Sequence, residues 1–447
     1  MAANRDNPGR TLIIGLGKTG LSCARYLVAH GVEVAVADSR LEPPGLTALR
    51  EELPDVAVFL GDYPEEALLR AQRIVVSPGV ALSHPALAIA AARGQELIGD
   101  IELFARAARA PIAAITGANG KSTVTTLLGQ MAQAAGRVVR VGGNLGTPAL
   151  DLLQVTEPDL YVLELSSFQL ETTLSLNAAA ATVLNISPDH MDRYRNLDEY
   201  AAAKQRIFRG DGAMVLNADD ACVLAMAEAG RHSVRFTLGV PDAGDYGVRR
   251  HENADWLACG TALLLPIAAL RIPGSHNVAN ALAALALGGA LGLPLAAMLT
   301  TLRAFAGLPH RTQWVAERDG VTWYNDSKGT NVGATLAAVS GMPGKVVLIA
   351  GGEGKGADFA SLRAVVTDKA RAVVLIGRDA SLIEVALAGA APLLRARDMD
   401  DAVQQARGVA QSGDAVLLSP ACASFDMFDN YEHRGRVFTA AVVKALA

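Results

Sequence analysis

Short apolar runs recur along this chain, and between them lie longer stretches that are either alanine-rich or carry apolar residues at helical spacing. Strands covered on both faces read as continuous apolar runs, so the alternation predicts α/β domains built on largely parallel sheets. The runs gather in three groups. Strands are expected at 11–14, 32–37, 56–60 and 74–76, then at 111–116, 160–165, 182–186 and 214–217, and finally at 322–325, 345–350, 372–376 and 415–418. Breaks near Gly99 and after Gly307-Leu308-Pro309 divide the chain into 1–99, 100–307 and 308–447. Its 447 residues suit three domains, at the common size of ~150 residues each.

Composition narrows the class. Hydrophobic residues make up 51% and charged residues 19%, and 40 Lys and Arg against 45 Asp and Glu leave a net charge of −5. That describes an ordinary globular protein without the basic surplus of a nucleic-acid binder. Cys23, Cys222, Cys259 and Cys422 are scattered, which predicts free thiols and excludes a Cys-rich zinc module. The uncharged run 272–302 tests the soluble reading, but it is mostly alanine, holds Gly288, Gly289 and Gly292, and is cut by Pro294. Two buried helices fit better than a membrane span, with Ser275 capping the first, the glycines ending it and Pro294 at the first position of the second. The opening MAANRDNPGR lacks the apolar core of a secretory signal, so a cytoplasmic address is expected.

Two glycine turns carry the chemistry. Gly15, Gly17 and Gly20 complete a G-x-G-x-x-G after the first strand and ahead of a helical stretch, with Asp38 placed for a ribose hydroxyl at the end of the next strand. A nucleotide-sugar diphosphate offers the same pyrophosphate and ribose as NAD, so the turn fixes the ligand's shape and leaves a dehydrogenase open. Ser77-Pro78-Gly79 forms a second phosphate-compatible turn. The segment from Thr116 to Thr123, TGANGKST, resembles a P-loop, although Ile115 stands where the first glycine belongs. Lys121 would reach the β- and γ-phosphates and Ser122 would ligate Mg²⁺. Glu164, closing the run LYVLE, would set a carboxylate at the same sheet edge. In the cluster Asn185-Ile186-Ser187-Pro188-Asp189-His190-Met191-Asp192-Arg193, His190 reads equally as a metal ligand or as a hydrogen-bonding loop residue. Hydride transfer needs no ATP. The pair of turns implies an ATP-driven reaction on a nucleotide-bearing substrate, or a nucleotide-gated regulator that makes no product.

TGANGKST, ELSSFQ, the Asn185 to Arg193 cluster, GSHNVANALAA, GLPHR and YNDSKGTN, in that order, make the chain similar to the Mur ligase family of peptidoglycan synthesis. GLGKTGLS and LSPACASFDMFDNYEHRG most resemble its D-glutamate-adding branch and extend the likeness over nearly the whole chain. The resemblance implies a Rossmann-like N-terminal domain for the UDP substrate, a P-loop ATPase-like central domain and a Rossmann-like C-terminal domain for the amino acid. NAD is then replaced by UDP-N-acetylmuramoyl-L-alanine, met by Gly17, Lys18, Thr19, Asp38, Ser39 and Gly79, with Asn144, Ser166, Gln169 and His190 on the muramoyl-alanine arm. ATP would lie on Gly117, Asn119, Gly120, Lys121, Ser122 and Thr123. Asn280, with Asn277 nearby, would approach the adenine, and Arg311 and Asp326, assisted by His310, would reach ATP from the third domain.

The resemblance also assigns two Mg²⁺ sites, Mn²⁺ being the alternative ion. Ser122 and Glu164 would bind one, and His190 with a carbamylated Lys204 the other; Lys121, Glu164, His190 and Lys204 form the implied catalytic set. By spacing alone Lys204 reads as a solvated helix lysine. D-Glutamate would meet Thr330, Lys328, Lys355, Ser424 and Tyr431, the last departing from the phenylalanine common there. The D-N-P-R motif of the diaminopimelate-adding branch is missing from the third domain; Asp6-Asn7-Pro8-Gly9-Arg10 carries an extra glycine and lies at the wrong end. The implied protein is a monomeric cytoplasmic ligase without nucleic-acid or membrane partners, whose third domain closes on the middle one when ligands bind.

Overall fold

A computed structural model describes residues 9–187, 193–354 and 356–447, so His190 and Lys355 lie outside the described residues. Three sheets form. In the first, strands Ala57–Leu60, Glu33–Asp38, Arg10–Ile14, Arg73–Val76 and Glu96–Ile98 lie side by side in that order, all parallel. Strand order reverses between Arg10–Ile14 and Arg73–Val76, which opens a crevice at their carboxyl ends. Ser77 Oγ donates to the Gly15 carbonyl there at 2.8 Å. A Cβ at Gly20 would stand 2.0 Å from that same carbonyl oxygen, so helix-to-turn packing itself demands the third glycine of the motif.

The second sheet runs in parallel through Ser233–Phe236, Ala213–Asn217, Ala180–Val183, Ile112–Thr116, Leu160–Glu164 and Val139–Gly143. Tyr246–His251, Ala254–Cys259 and Ala262–Pro266 extend it. The third has the order Gln313–Arg318, Val321–Asn325, Ala415–Leu418, Val346–Gly351, Ala370–Ile376 and Leu393–Arg395. Its first two strands are an antiparallel hairpin turned at Asp319 and Gly320, both with left-handed φ of 54° and 74°, and the rest are parallel. All twelve expected strands are present, with ends shifted in all but Ala415–Leu418.

The chain folds into two compact units. One runs to Arg249 and includes Leu257–Leu264 and Asn280–Thr301; the other comprises Arg250–Trp256, Leu265–Ala279 and Leu302–Ala447. The first sheet and the parallel part of the second share the first unit, where helix Lys18–Ala29 and helix Asp100–Ala107 bury Leu21, Leu27, Ile101 and Phe104 in one core with Tyr161 and Leu163. Each such fully buried side chain contributes roughly 1.5–3 kcal/mol.

The uncharged run forms helices Ser275–Ala290 and Leu295–Ala304. Ser275 is the first helical residue rather than the cap, since the amides of Asn277 and Val278 turn to the Gly274 carbonyl. Gly288 and Gly289 lie inside the helix, and Gly292, at φ 68°, ends it as Leu293 N–H reaches back to the Gly288 carbonyl. Pro294 sits one place before its expected position, with its carbonyl accepting from Ala297 and Met298. Among the described residues no helix is long and apolar enough to cross a membrane.

Candidate active site

Strand Ile112–Thr116 is wholly buried, and at its end the chain turns through Gly117 and Gly120 into helix Lys121–Ala134. Gly120 takes φ 84° at the helix's N-terminal cap, and a Cβ there would meet Asn280 Oδ1 at 2.3 Å. Conformation and space both require glycine. Asn280 thus lies against the loop. Lys121 folds its Nζ onto the carbonyls of Gly117 and Ala118, at 2.9 and 3.0 Å, while Ser122 and Thr123 occupy the helix's first turn. Asn119 is exposed at the tip.

Glu164 ends the adjacent strand, paired in register with Ile115, so its carboxylate stands at the sheet edge beside the loop. It is 3% exposed. Oε1 accepts from Asn144 Nδ2 at 2.7 Å, and Asn144 N–H donates to the Glu164 carbonyl at 2.8 Å. Oε2 is buried with no hydrogen-bond partner among the described residues. A lone buried carboxylate oxygen is costly unless something else satisfies it, and a divalent cation does so. Among the described residues no three His, Cys, Asp or Glu side chains gather into a metal-binding group. The donor set at hand is one carboxylate, the Ser122 hydroxyl and whatever phosphate the loop holds, which suits Mg²⁺.

Lys204 corrects the reading from spacing. Helix Leu197–Gln205, capped by Asn196 Oδ1 on Glu199 N–H, points this lysine inward, where it is 1% exposed. Its Nζ donates to the Gly117 carbonyl at 2.9 Å and approaches Thr116 Oγ1 at 3.3 Å, 4.6 Å from the centre of the Tyr200 ring. The structure therefore brings Lys121, Lys204 and Asn280 onto one loop, with Glu164 on the next strand.

The residues expected on the UDP substrate are more dispersed in role. Gly17 caps helix Lys18–Ala29 with open space around it, and Lys18 and Thr19 form the first turn. Asp38 is committed to the fold: Oδ2 accepts from Leu16 N–H and Arg40 Nη2, and Oδ1 from Arg40 N–H and Nε. Burial alone would raise its pKa, but the Arg40 guanidinium and the two amides outweigh it and hold the carboxyl at about 2. Ser39 and Gly79 are exposed. Ser166 and Gln169 build a reciprocal capping box on helix Ser167–Glu171, and Gln169 Nε2 also donates to Asp100 Oδ2 at 2.9 Å. Arg193, quoted in the sequence cluster but given no role there, joins the Pro78 carbonyl at 2.9 Å to Glu171 at 2.7 Å, tying the Ser77-Pro78-Gly79 turn to that helix.

In the second unit, Asp326 follows strand Val321–Asn325. Its Oδ1 accepts from Thr312 N–H and Oγ1, and its Oδ2 from Ser419 Oγ at 2.7 Å. His310, Thr312 and Ala421 hold left-handed φ values of 62°, 43° and 57°, uncommon for residues with side chains and a mark of functional loops. Lys328 N–H donates to the His310 carbonyl, and its Nζ lies 5.1 Å from the Tyr431 ring centre. Arg434, which the sequence reading missed, is 1% exposed and assembles this corner. It donates to Ser327 Oγ and carbonyl and to the carbonyls of Cys422 and Ala423, so Lys328, Ser424 and Tyr431 come from segments held by one guanidinium. Thr330 is exposed next to them, and Arg311 is exposed beside His310.

Asp326 has a measurable signature. Burial pushes its carboxyl up to about 6 despite the bonds from Ser419 and Thr312. An unfolded aspartate titrates near ~3.9, so the folded state binds more protons between about pH 4 and 6 and stability falls as pH rises through that window. Asp326→Asn should therefore raise the melting temperature at pH 7.5, by the equivalent of about 1–3 kcal/mol, with the gap closing near pH 4. Thermal unfolding at the two pH values checks this; a variant less stable than its parent at pH 7.5 would refute it.

Three family models match in chain order: the Mur ligase MurD-like N-terminal domain over 9–99, the Mur ligase middle domain over 115–288, and the Mur ligase glutamate ligase domain over 310–422. A protein of Nitrosococcus oceani named UDP-N-acetylmuramoylalanine--D-glutamate ligase is 58% identical, covering 98% of this chain and 97% of its own. One of the same name from Methylococcus capsulatus is 57% identical, covering 99% and 96%. Among solved structures, a UDP-N-acetylmuramate-alanine ligase of Thermotoga maritima is similar over 98% of this chain and 99% of that one, with TM-score 0.57 at 18% identity. A UDP-N-acetylmuramoyl-L-alanyl-D-glutamate 2,6-diaminopimelate ligase covers 85% and 93%, with TM-score 0.60 at 18% identity. These two speak for the three-domain α/β fold. Matched by its models along most of its length and by such relatives almost end to end, the chain belongs to the Mur ligase family.

Proposed function

We propose that this protein is an ATP-dependent ligase that adds D-glutamate to UDP-N-acetylmuramoyl-L-alanine in cytoplasmic peptidoglycan precursor synthesis. The observation that carries the proposal is the near full-length identity to relatives bearing that ligase's name. The glycine loop with Lys121, beside a Glu164 oxygen that lacks a partner among the described residues, agrees with it. The domains divide the work as 1–99 for the UDP substrate, 100–307 for ATP and 308–447 for D-glutamate, and the protein acts as a monomer whose third domain closes over the reaction.

Making an amide from a carboxylate requires a leaving group, and ATP supplies phosphate. The alanine carboxylate attacks the γ-phosphorus, yielding an acyl phosphate and ADP. Gly117, Asn119, Gly120 and Thr123 surround the phosphates, and the Lys121 ammonium moves from the loop carbonyls to offset charge on the transferring group. The D-glutamate amine then attacks the acyl carbon, and the tetrahedral intermediate expels inorganic phosphate as the amine proton is lost. Magnesium, or manganese in its place, supplies charge neutralisation when bound, held by Ser122 and Glu164 at one site and by His190 and carbamylated Lys204 at the other. Asn280 and Asn277 border the adenine, and Arg311, His310 and Asp326 meet ATP. Asn144, Ser166 and Gln169 with His190 orient the muramoyl-alanine arm, the UDP end resting on Gly17, Lys18, Thr19, Asp38, Ser39 and Gly79. Lys328, Lys355, Thr330, Ser424 and Tyr431 take the dicarboxylate, where paired cations favour it over neutral amino acids.

An assay of phosphate release with UDP-N-acetylmuramoyl-L-alanine, ATP and a panel of amino acids tests the whole reading. Release is expected with D-glutamate. ATP binding without amino-acid-dependent release would instead indicate a regulator, and release with L-amino acids alone would overturn the specificity.

A further inference from the structure

The glycine loop is held from the side by a residue with no role so far. Strand Ala180–Val183 pairs with Ile112–Thr116, so the residues after its end run past the loop. Leu184 N–H donates to the Thr116 carbonyl at 2.9 Å. Asn185 then grips the loop three times. Its carbonyl accepts from Ala118 N–H at 3.0 Å, its Oδ1 accepts from Asn119 N–H at 2.8 Å, and its Nδ2 donates to the Asn119 carbonyl at 3.1 Å. Both sides of one loop residue's backbone are thus closed by a single side chain, in the manner of a strand pair.

That arrangement has a chemical meaning. The Ala118 and Asn119 amides are spent on Asn185, so what it fixes is the course of the loop; a phosphate-cradling loop whose course wanders must be ordered when the nucleotide arrives. An asparagine amide is the short side chain able to donate and accept at once. It can therefore satisfy both the N–H and the carbonyl of Asn119, an exposed position with no helix or strand to do so.

We infer that Asn185 is a positioning residue for ATP: it pre-orders the Ala118-Asn119 stretch of the phosphate loop and acts through it, without contacting the reacting atoms. The inference rests on the reading of this loop as the ATP site. Its signature is selective, because the UDP crevice, the Glu164 carboxylate and the third domain do not depend on Asn185.

The test compares the full chain with Asn185→Ala. The KM for ATP should rise about tenfold, the equivalent of losing the two side-chain bonds on Asn119, with kcat at saturating ATP and the KM for the UDP substrate each changing less than about threefold. Hydrogen exchange at the Asn119 amide of the unaltered, nucleotide-free chain gives a measurement independent of the variant's folding. That amide should be protected well beyond an open loop. An unchanged KM for ATP, a fall in kcat and melting temperature without selectivity for ATP, or an unprotected Asn119 amide would each overturn the inference. If the unaltered chain binds no ATP, the loop's assignment fails first and takes this inference with it; if it binds ATP and Asn185→Ala binds it equally, only this inference fails.

Discussion

Lys204→Ala should lower kcat by about a hundredfold or more, and a short-chain carboxylic acid such as acetate should restore part of the loss. Both halves follow from where the lysine sits. A residue with its amine under the Gly117 carbonyl and its stem inside the protein leaves, on truncation, a cavity next to the phosphate loop. Adding CO₂ to the neutral amine would convert a cation into an anionic metal ligand. A free carboxylate entering the cavity would replace the anion that a carbamate on Lys204 would supply. Steady-state rates with and without acetate decide the matter. Loss without rescue would argue for a lysine acting as a cation, and near-normal activity would remove Lys204 from the site.

Glu164→Gln comes next in expected effect. The amide retains the acceptor for Asn144 Nδ2 and the volume of the side chain, so the strand end should keep its shape. What it loses is the charge at the oxygen that has no partner among the described residues. We expect kcat to fall by about a hundredfold, and half-maximal activity to require at least about tenfold more Mg²⁺. Because the amide keeps the side chain's volume and its acceptor for Asn144 Nδ2, the metal-free variant should melt close to its parent. Activity measured across a magnesium titration reads the first effect and calorimetry without metal the second; an unaltered magnesium dependence would exclude Glu164 as a ligand.

Most strands legible in the sequence are buried on both faces, such as Val346–Gly351 and Leu160–Glu164, where every residue is buried; Ala57–Leu60, partly exposed, was legible from its apolar run alone. Those that escaped are peripheral or mixed in character. Tyr246–His251 ends in Arg249, Arg250 and His251, and Gln313–Arg318 is half exposed, so neither shows a continuous apolar run. The Asp319-Gly320 turn was the available hairpin signal for the latter. At the site, the glycine motifs and Glu164 were visible because a loop chemistry dictates residue order. Lys204 was reached only through the family resemblance, and Asn185 and Arg434 were given no role, because what gives each its position is a partner far away in sequence. Lys204 meets Gly117, Asn185 meets Asn119 and Arg434 meets Ser327, and no local pattern encodes such pairs.

The contact between Gly120 and Asn280 limits how this site can vary. Many left-handed glycine positions tolerate asparagine, which adopts that backbone conformation more readily than other residues. Here that exit is closed, since any Cβ at 120 would stand 2.3 Å from the Asn280 side-chain oxygen, well inside van der Waals contact. Bulk gained at one position has to be surrendered at the other. The pair therefore drifts as one unit or stays fixed, and a compound that touches both presents the protein with a surface from which single substitutions offer little escape.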